Sequence, residues 1–140
     1  MVYFMKLDSE PFLNIKIGRK TVELRLFDGK RRQLDIGDDI IFTNLSNDNE
    51  EIAVKVKALY RYDSFEELFA EISPERCGFY HGETSEEAAS HMLKYYSKEK
   101  IRIYGVLGIK IEMTSLEEAL EKYHQYYEGQ FERFFPDGMK

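Results

Sequence analysis

The chain is short of cysteine, of proline and of positive charge, and it lacks any long apolar run. Its one cysteine, Cys77, excludes an internal disulfide and suits a reducing compartment, so a cytoplasmic protein is expected. Three prolines among 140 residues make no Pro-rich linker, and no Gly- or Ser-rich tract, repeat or low-complexity segment takes its place. No run of about 18 apolar residues is present, so no membrane span is expected. The apolar start is broken by Lys6 and is too short for a secretory signal. Lys and Arg number 20 against 26 Asp and Glu, a formal net charge of −6. Proteins that coat nucleic acid without selectivity are basic overall, so that role is excluded.

What is there suffices for one core. At 43% hydrophobic and 14% aromatic, the chain has the size of one domain and is too aromatic to be mainly disordered. Its charge is uneven. Met1–Asp35 carries 8 Lys and Arg against 5 Asp and Glu, whereas Tyr62–Lys140 carries 9 against 16. An anionic ligand would meet the N-terminal quarter most readily; the plain alternative is a set of solvated surface charges.

Val2–Lys6 reads as a strand. Ser9-Glu10-Pro11 starts a short helix, with Pro in the first turn where its missing N–H is harmless, and Gly18 ends it. Thr21–Phe27 alternates, with Val22, Leu24 and Leu26 on one face and Thr21, Glu23 and Arg25 on the other. Asp28-Gly29 is a turn, followed by an exposed basic run, Lys30-Arg31-Arg32. A strand is expected over Asp39–Asn44 and a polar hairpin tip over Ser46–Glu50. Ile52, Val54, Val56, Ala58 and Tyr60 then alternate with Ala53, Lys55, Lys57, Leu59 and Arg61. Ser64 with Glu67, and Thr84 with Glu87, form capping boxes ahead of two helices. A loop, Ser73–Gly82, separates those helices. Ile101, Ile103, Gly105, Leu107, Ile109 and Ile111 read as a last long strand, and Ser115 with Glu118 opens a final helix.

Short links between strands favour antiparallel pairing. The expected fold is α+β: a curled, mainly antiparallel β-barrel or half-barrel flanked by helices, not a doubly wound sheet. Residues 1–112 form this unit, and residues 113–140 a C-terminal helix and tail. Tyr123, Tyr126, Tyr127, Phe131, Phe134 and Phe135 would dock that tail on the barrel or on a second subunit, giving a homodimer.

Chemistry concentrates in Gly18-Arg19-Lys20-Thr21-Val22-Glu23-Leu24-Arg25. Lys20 stands at a helix-to-strand junction, and Glu23 and Arg25 share a strand face. A cation, an anion and a planar guanidinium converge there. Arg binds phosphate or a base edge in bidentate fashion, and Glu accepts from an exocyclic amine. The plain alternative is an exposed Glu–Arg pair of no consequence. Tyr80 and His81, in the long loop, could line the same cleft and offer a ring to a base. His81, His91 and His124 show no metal spacing; each reads more simply as a surface or loop histidine. No metal and no cofactor are expected, and a lone Cys77 before Gly78 reads as structural.

The pattern Gly18-x-Lys20-x-x-Glu23-x-Arg25 resembles the signature of the ASCH family in the PUA-like superfamily. Ile36–Phe42, Tyr60–Leu68 and the stretch from Lys94 to Ile109 resemble the family as well. The resemblance implies a β-barrel whose cleft holds the signature, and a role in binding RNA or a nucleoside- or nucleotide-type ligand. One branch is similar to small amidohydrolases acting on N4-acylcytidine, which use a Lys, a Thr three residues later and a loop Glu. Here Lys20 is present, Glu23 takes the Thr position, Thr21 is displaced, and Glu83 competes with His81 for the loop place. Because this sequence departs from the branch at the Thr position, a hydrolase built here would instead use Glu23 as general base on water and Lys20 as the cation. Other members resemble metal-assisted ribonucleases.

Overall fold

Alternating strands bury both faces of this sheet, one curled on itself and capped by the first helix, the other against the later helices. The computed structural model describes residues 1–134, apart from the side chains of residue 48 and residues 129–134. The elements are β1 (Val2–Leu7), α1 (Ser9–Lys16), β2 (Val22–Leu26), β3 (Asp39–Asn44), β4 (Asn47–Tyr62), α2 (Phe65–Glu71), α3 (Ser85–Met92), α4 (Lys98–Tyr104), β5 (Val106–Thr114) and α5 (Leu116–Phe134). Single 3₁₀ turns occupy Arg31–Gln33 and Pro74–Cys77.

The five strands form one curled half-barrel sheet in the order β1-β3-β4-β5-β2. Three pairings are antiparallel, as expected, and β1 runs parallel to β3. That parallel pair is possible because α1 and β2 lie between the two strands in the chain, a crossover long enough to bring it back in the same direction.

The concave side holds Met5, Leu7, Ile40, Phe42, Val54, Val56, Leu107 and Ile109, covered by Phe12 and Ile15 of α1. The opposite side carries two layers. α2 and α3 set Phe65, Leu68, Phe69, Ala88 and Met92 against Val22, Leu24, Leu26 and Val106. Gly108 of β5 lacks a side chain where Leu68 and Ile72 approach; a Cβ there would stand 3.4 Å from Leu68 Cδ1. α5 lays Leu116, Ala119 and Leu120 over Val2, Ile41 and Ala53. Each fully buried Leu or Phe contributes about 1.5–3 kcal/mol. Tyr123 of α5 meets Phe4 edge-on, with centroids 4.9 Å apart, and Lys122 donates to the buried Asp39 at 3.0 Å. Tyr126 and Tyr127 are exposed. The side chains of Phe131 and Phe134, and residue Phe135, lie outside the described residues. No helix is long and apolar enough to cross a membrane among those described.

Three details differ from the sequence reading. The strand expected from Ile101 begins only at Val106. Ser97 caps a helical turn by accepting from the Lys100 N–H at 3.2 Å, and Gly105, with φ of +74°, turns the chain into β5. Residues 47–50 belong to β4 instead of a hairpin tip. In β4 the pairing register slips between Val56 and Ala58. This bulge inserts one residue and exchanges the faces beyond it, so Leu59 packs with the concave cluster while Tyr60 and Tyr62 pack with α2 and α3.

Candidate functional site: a cleft at the open seam

The edge strands β1 and β2 face each other without pairing, and the half-barrel stays open along this seam. Arg25 of β2 reaches across it, its Nη2 donating to the Lys6 carbonyl at 3.1 Å. Local structure places the signature there. Gly18, with φ of +83°, ends α1. The Lys20 N–H donates to the Asn14 carbonyl at 2.9 Å and the Thr21 N–H to that of Arg76 at 2.9 Å, pinning the junction to both α1 and the Pro74–Cys77 turn. Glu23 and Arg25 stand opposite Ile109 and Leu107 in the register with β5, hence on the concave face.

Lys20, Glu23 and Arg25 form an ion triad in which Lys20 and Glu23 are buried and Arg25 is part-buried. Lys20 Nζ donates to Glu23 Oε1 at 2.7 Å, and the Leu24 N–H donates to the same oxygen at 3.0 Å. Arg25 Nε and Nη2 donate to Oε2 at 3.2 and 3.0 Å. Burial alone would raise the Glu23 carboxyl, but the Lys20 ammonium and Arg25 guanidinium outweigh it and hold it at about 2. The stem of Lys20 lies on Gly78, whose φ is +96°; a Cβ on that glycine would stand 3.0 Å from Lys20 Cδ.

The triad forms part of the wall of a cavity of about 490 Å³, within the roughly 300–1,000 Å³ of small-molecule sites. Tyr80, Tyr95 and Tyr96 also line it. Its charges balance: Lys6, Lys20, Arg25 and Lys94 against Asp8, Glu10, Glu23 and Glu83. The basic excess of the N-terminal quarter therefore does not make this cleft a cationic funnel.

The loop residues separate. Arg19 donates to the carbonyls of Gly78 and Phe79 at 2.9 and 2.8 Å, clamping the loop to the junction. Tyr80 is 71% exposed at the rim, and its hydroxyl donates to Glu10 Oε1 at 3.4 Å. His81 turns out to solvent beside Glu75 and does not line the cavity. Thr21 also stays outside the lining. Glu83 does line it, buried, with Oε1 2.8 Å from His91 Nδ1 and Oε2 unpartnered among the described residues.

His91, read from sequence as a surface residue, is half-exposed on the cavity wall. No local pattern marked it, because Glu83 lies before the Thr84 N-cap of α3 and meets His91 only through the way the chain packs. Asn14 and Tyr96 had no local signal either. Cys77 is buried beside Lys20, and burial pushes its thiol up to about 12, so it is no nucleophile. Among the described residues no group of three or more His, Cys, Asp or Glu side chains is placed to hold a metal ion.

The ASCH domain family model matches residues 5–115. No curated protein matches the chain. Among solved structures it is similar to the hypothetical protein PH0355, at 35% identity and a TM-score of 0.72 over 81% of this chain and 100% of that one. It is also similar to the protein PF0455 from Pyrococcus furiosus, at 34% identity and a TM-score of 0.62 over 82% of this chain and 99% of that one.

Proposed function

The chain belongs to the ASCH domain family, and on that premise we propose that its seam cleft binds RNA or a nucleoside- or nucleotide-type ligand through the Gly18, Lys20, Glu23, Arg25 motif. The observation that carries this reading is the ion triad on the cavity wall. Both Glu23 oxygens are occupied by its neighbours, so Glu23 orients the two cations and leaves ligand contact to them. Lys20 has ammonium donors to spare, and Arg25 Nη1 makes no hydrogen bond among the described residues. Tyr80 at the rim offers a ring on which a base can stack. The balanced charge of the cleft suits a base and sugar better than a long polyanion.

Titration with a nucleoside panel, followed by amide and side-chain NMR shifts, tests the reading. Lys20→Ala and Arg25→Ala should each weaken binding by about 1–3 kcal/mol, the worth of a charge-assisted hydrogen bond. Equal binding by wild type and both variants would place the ligand elsewhere. A cytoplasmic setting belongs to this reading, as does a homodimer through the exposed Tyr126 and Tyr127 of α5, which sedimentation would test.

A second reading is hydrolysis in the same cleft, of N4-acylated cytidine or of RNA. A carboxyl held at about 2 is a weak base at neutral pH, so Glu23 and Lys20 are poorly suited as base and polarising cation. The neighbouring Glu83–His91 pair is what favours this reading, as an acid–base couple on the wall. Release of cytidine from N4-acetylcytidine, lost in His91→Gln, would support it.

A further inference from the structure

Resting on the reading of the cleft as a base-binding site, we propose that a second cavity beside it binds phosphate, so that the ligand is a single-stranded RNA of two or more nucleotides and not a free nucleoside. This second cavity, of about 450 Å³, lies along the same seam and shares Lys6 and Arg25 with the first. A chain leaving the cleft past Arg25 enters it directly. The charged residues lining it are Lys6, Arg25, Lys30 and Arg31, all basic, in contrast to the balanced cleft next door.

The 3₁₀ turn explains how the basic run comes to lie there. Asp28 accepts from the Arg31 N–H at 3.2 Å and holds the Arg31 guanidinium at 3.1 Å, which fixes Lys30 and Arg31 beside β1 and the end of β2. Arg31 Nε remains buried without a hydrogen-bond partner among the described residues. Arg32 and Arg61 stay outside the lining of this second cavity, stacked on Phe27 at 4.5 and 4.2 Å. Arg25 is held by Glu23 and Arg31 by Asp28, whereas Lys6 and Lys30 make no ion pair among the described residues and leave their ammonium donors to an anion. Phosphate is the anion that follows a base along a nucleic-acid chain. The favourable track is short, because the chain beyond Tyr62 is strongly acidic. A few phosphates fit this pattern, and a long duplex does not.

The test compares four nucleosides, the matching tetranucleotides and inorganic phosphate as probes of the full chain, at 50 and 200 mM salt. The tetranucleotide should bind at least tenfold more tightly than its nucleoside. Its affinity should fall with salt at a log–log slope of about −0.7 per phosphate engaged. Lys30→Glu should abolish the tetranucleotide's advantage and flatten the slope, while nucleoside affinity stays within twofold. Arg31→Gln should act in the same direction, and the exposed Lys30 keeps the test valid if that variant folds poorly. A nucleoside that binds as tightly as its tetranucleotide, or a Lys30→Glu variant with unchanged tetranucleotide affinity, overturns the phosphate groove and leaves the cleft standing. Tetranucleotide binding sensitive to Lys30→Glu but indifferent to Lys20→Ala overturns the continuous path from cleft to groove. Inorganic phosphate binding as tightly as the tetranucleotide overturns RNA as the ligand. No binding by any probe overturns both this proposal and the reading of the cleft.

Discussion

The ammonium of Lys20 lies 2.7 Å from Oε1 of Glu23, and both side chains are more than nine-tenths buried. The second Glu23 oxygen holds Arg25, so one carboxylate fixes two cations on the cleft wall. Desolvation consumes much of the attraction within such a group. Its consequence is positional: two long, flexible side chains are held at one place on the cleft wall.

Removing the central carboxylate should be costly. Glu23→Gln leaves one buried and one part-buried cation facing an amide and should lower the unfolding free energy by about 3 kcal/mol. Urea denaturation checks this. A change below about 1 kcal/mol would mean that Lys20 and Arg25 escape to solvent when unpaired.

The same carboxyl makes stability depend on acid. Its value is near 4.5 when unperturbed and about 2 in the folded chain, so the ionised form is favoured by folding. This contribution is fully present above the unfolded value and is lost as pH falls from about 5 towards 2. The difference corresponds to roughly 3 kcal/mol. Wild type should show that loss in denaturation curves taken across the window, and Glu23→Gln should show correspondingly less of it.

Gly78 is tied to the site twice, by its left-handed backbone and by its contact with the Lys20 stem. Gly78→Ala should destabilise the fold by about 1 kcal/mol or more for the φ alone. It should also displace Lys20 and weaken nucleoside binding beyond what Gly18→Ala does, since a Cβ at Gly18 meets nothing within 4 Å. Matching losses of binding in the two variants would detach Gly78 from the ligand.

Two neighbouring loop residues should behave oppositely. Tyr80→Ala removes a ring from the cleft wall and should weaken binding of a base by about 1–3 kcal/mol. His81→Ala, outside the lining, should leave the affinity unchanged. Isothermal titration of both variants decides whether the loop meets the ligand through its tyrosine.

Cys77 should resist alkylation in the native protein at pH 8 and react only on unfolding, because its thiol is buried and held near 12. Mass spectrometry after a timed iodoacetamide pulse, with and without urea, reads this directly.

Several elements were legible because their signals are local. Thr84 and Glu87 form the full reciprocal capping box expected of them. Ser64 accepts from the Glu67 N–H as expected, but the Glu67 carboxylate takes the N–H of Asp63 in place of that of Ser64. Ile101 and Ile103 misled because two apolar residues at a spacing of two mimic a strand, while the Ser97 cap decides for helix. The slip at Lys57 left no mark in the alternation of β4, since a bulge is defined by the partner strand and not by the bulged one.

The amino-acid sequence by itself determined that α1 stops at Gly18 and that Lys20, Glu23 and Arg25 can meet. Those outcomes depend on spacing within eight residues, on strand alternation and on the conformational freedom of one glycine. Only the tertiary structure decided what surrounds them. That β1 and β2 become unpaired neighbours, that Glu83 with His91 enters the cleft while His81 leaves it, and that Lys30 and Arg31 line the seam beside Lys6 all depend on how distant segments pack. The curl and edge order of the sheet set those meetings, and no local periodicity records a contact between residues far apart in the chain.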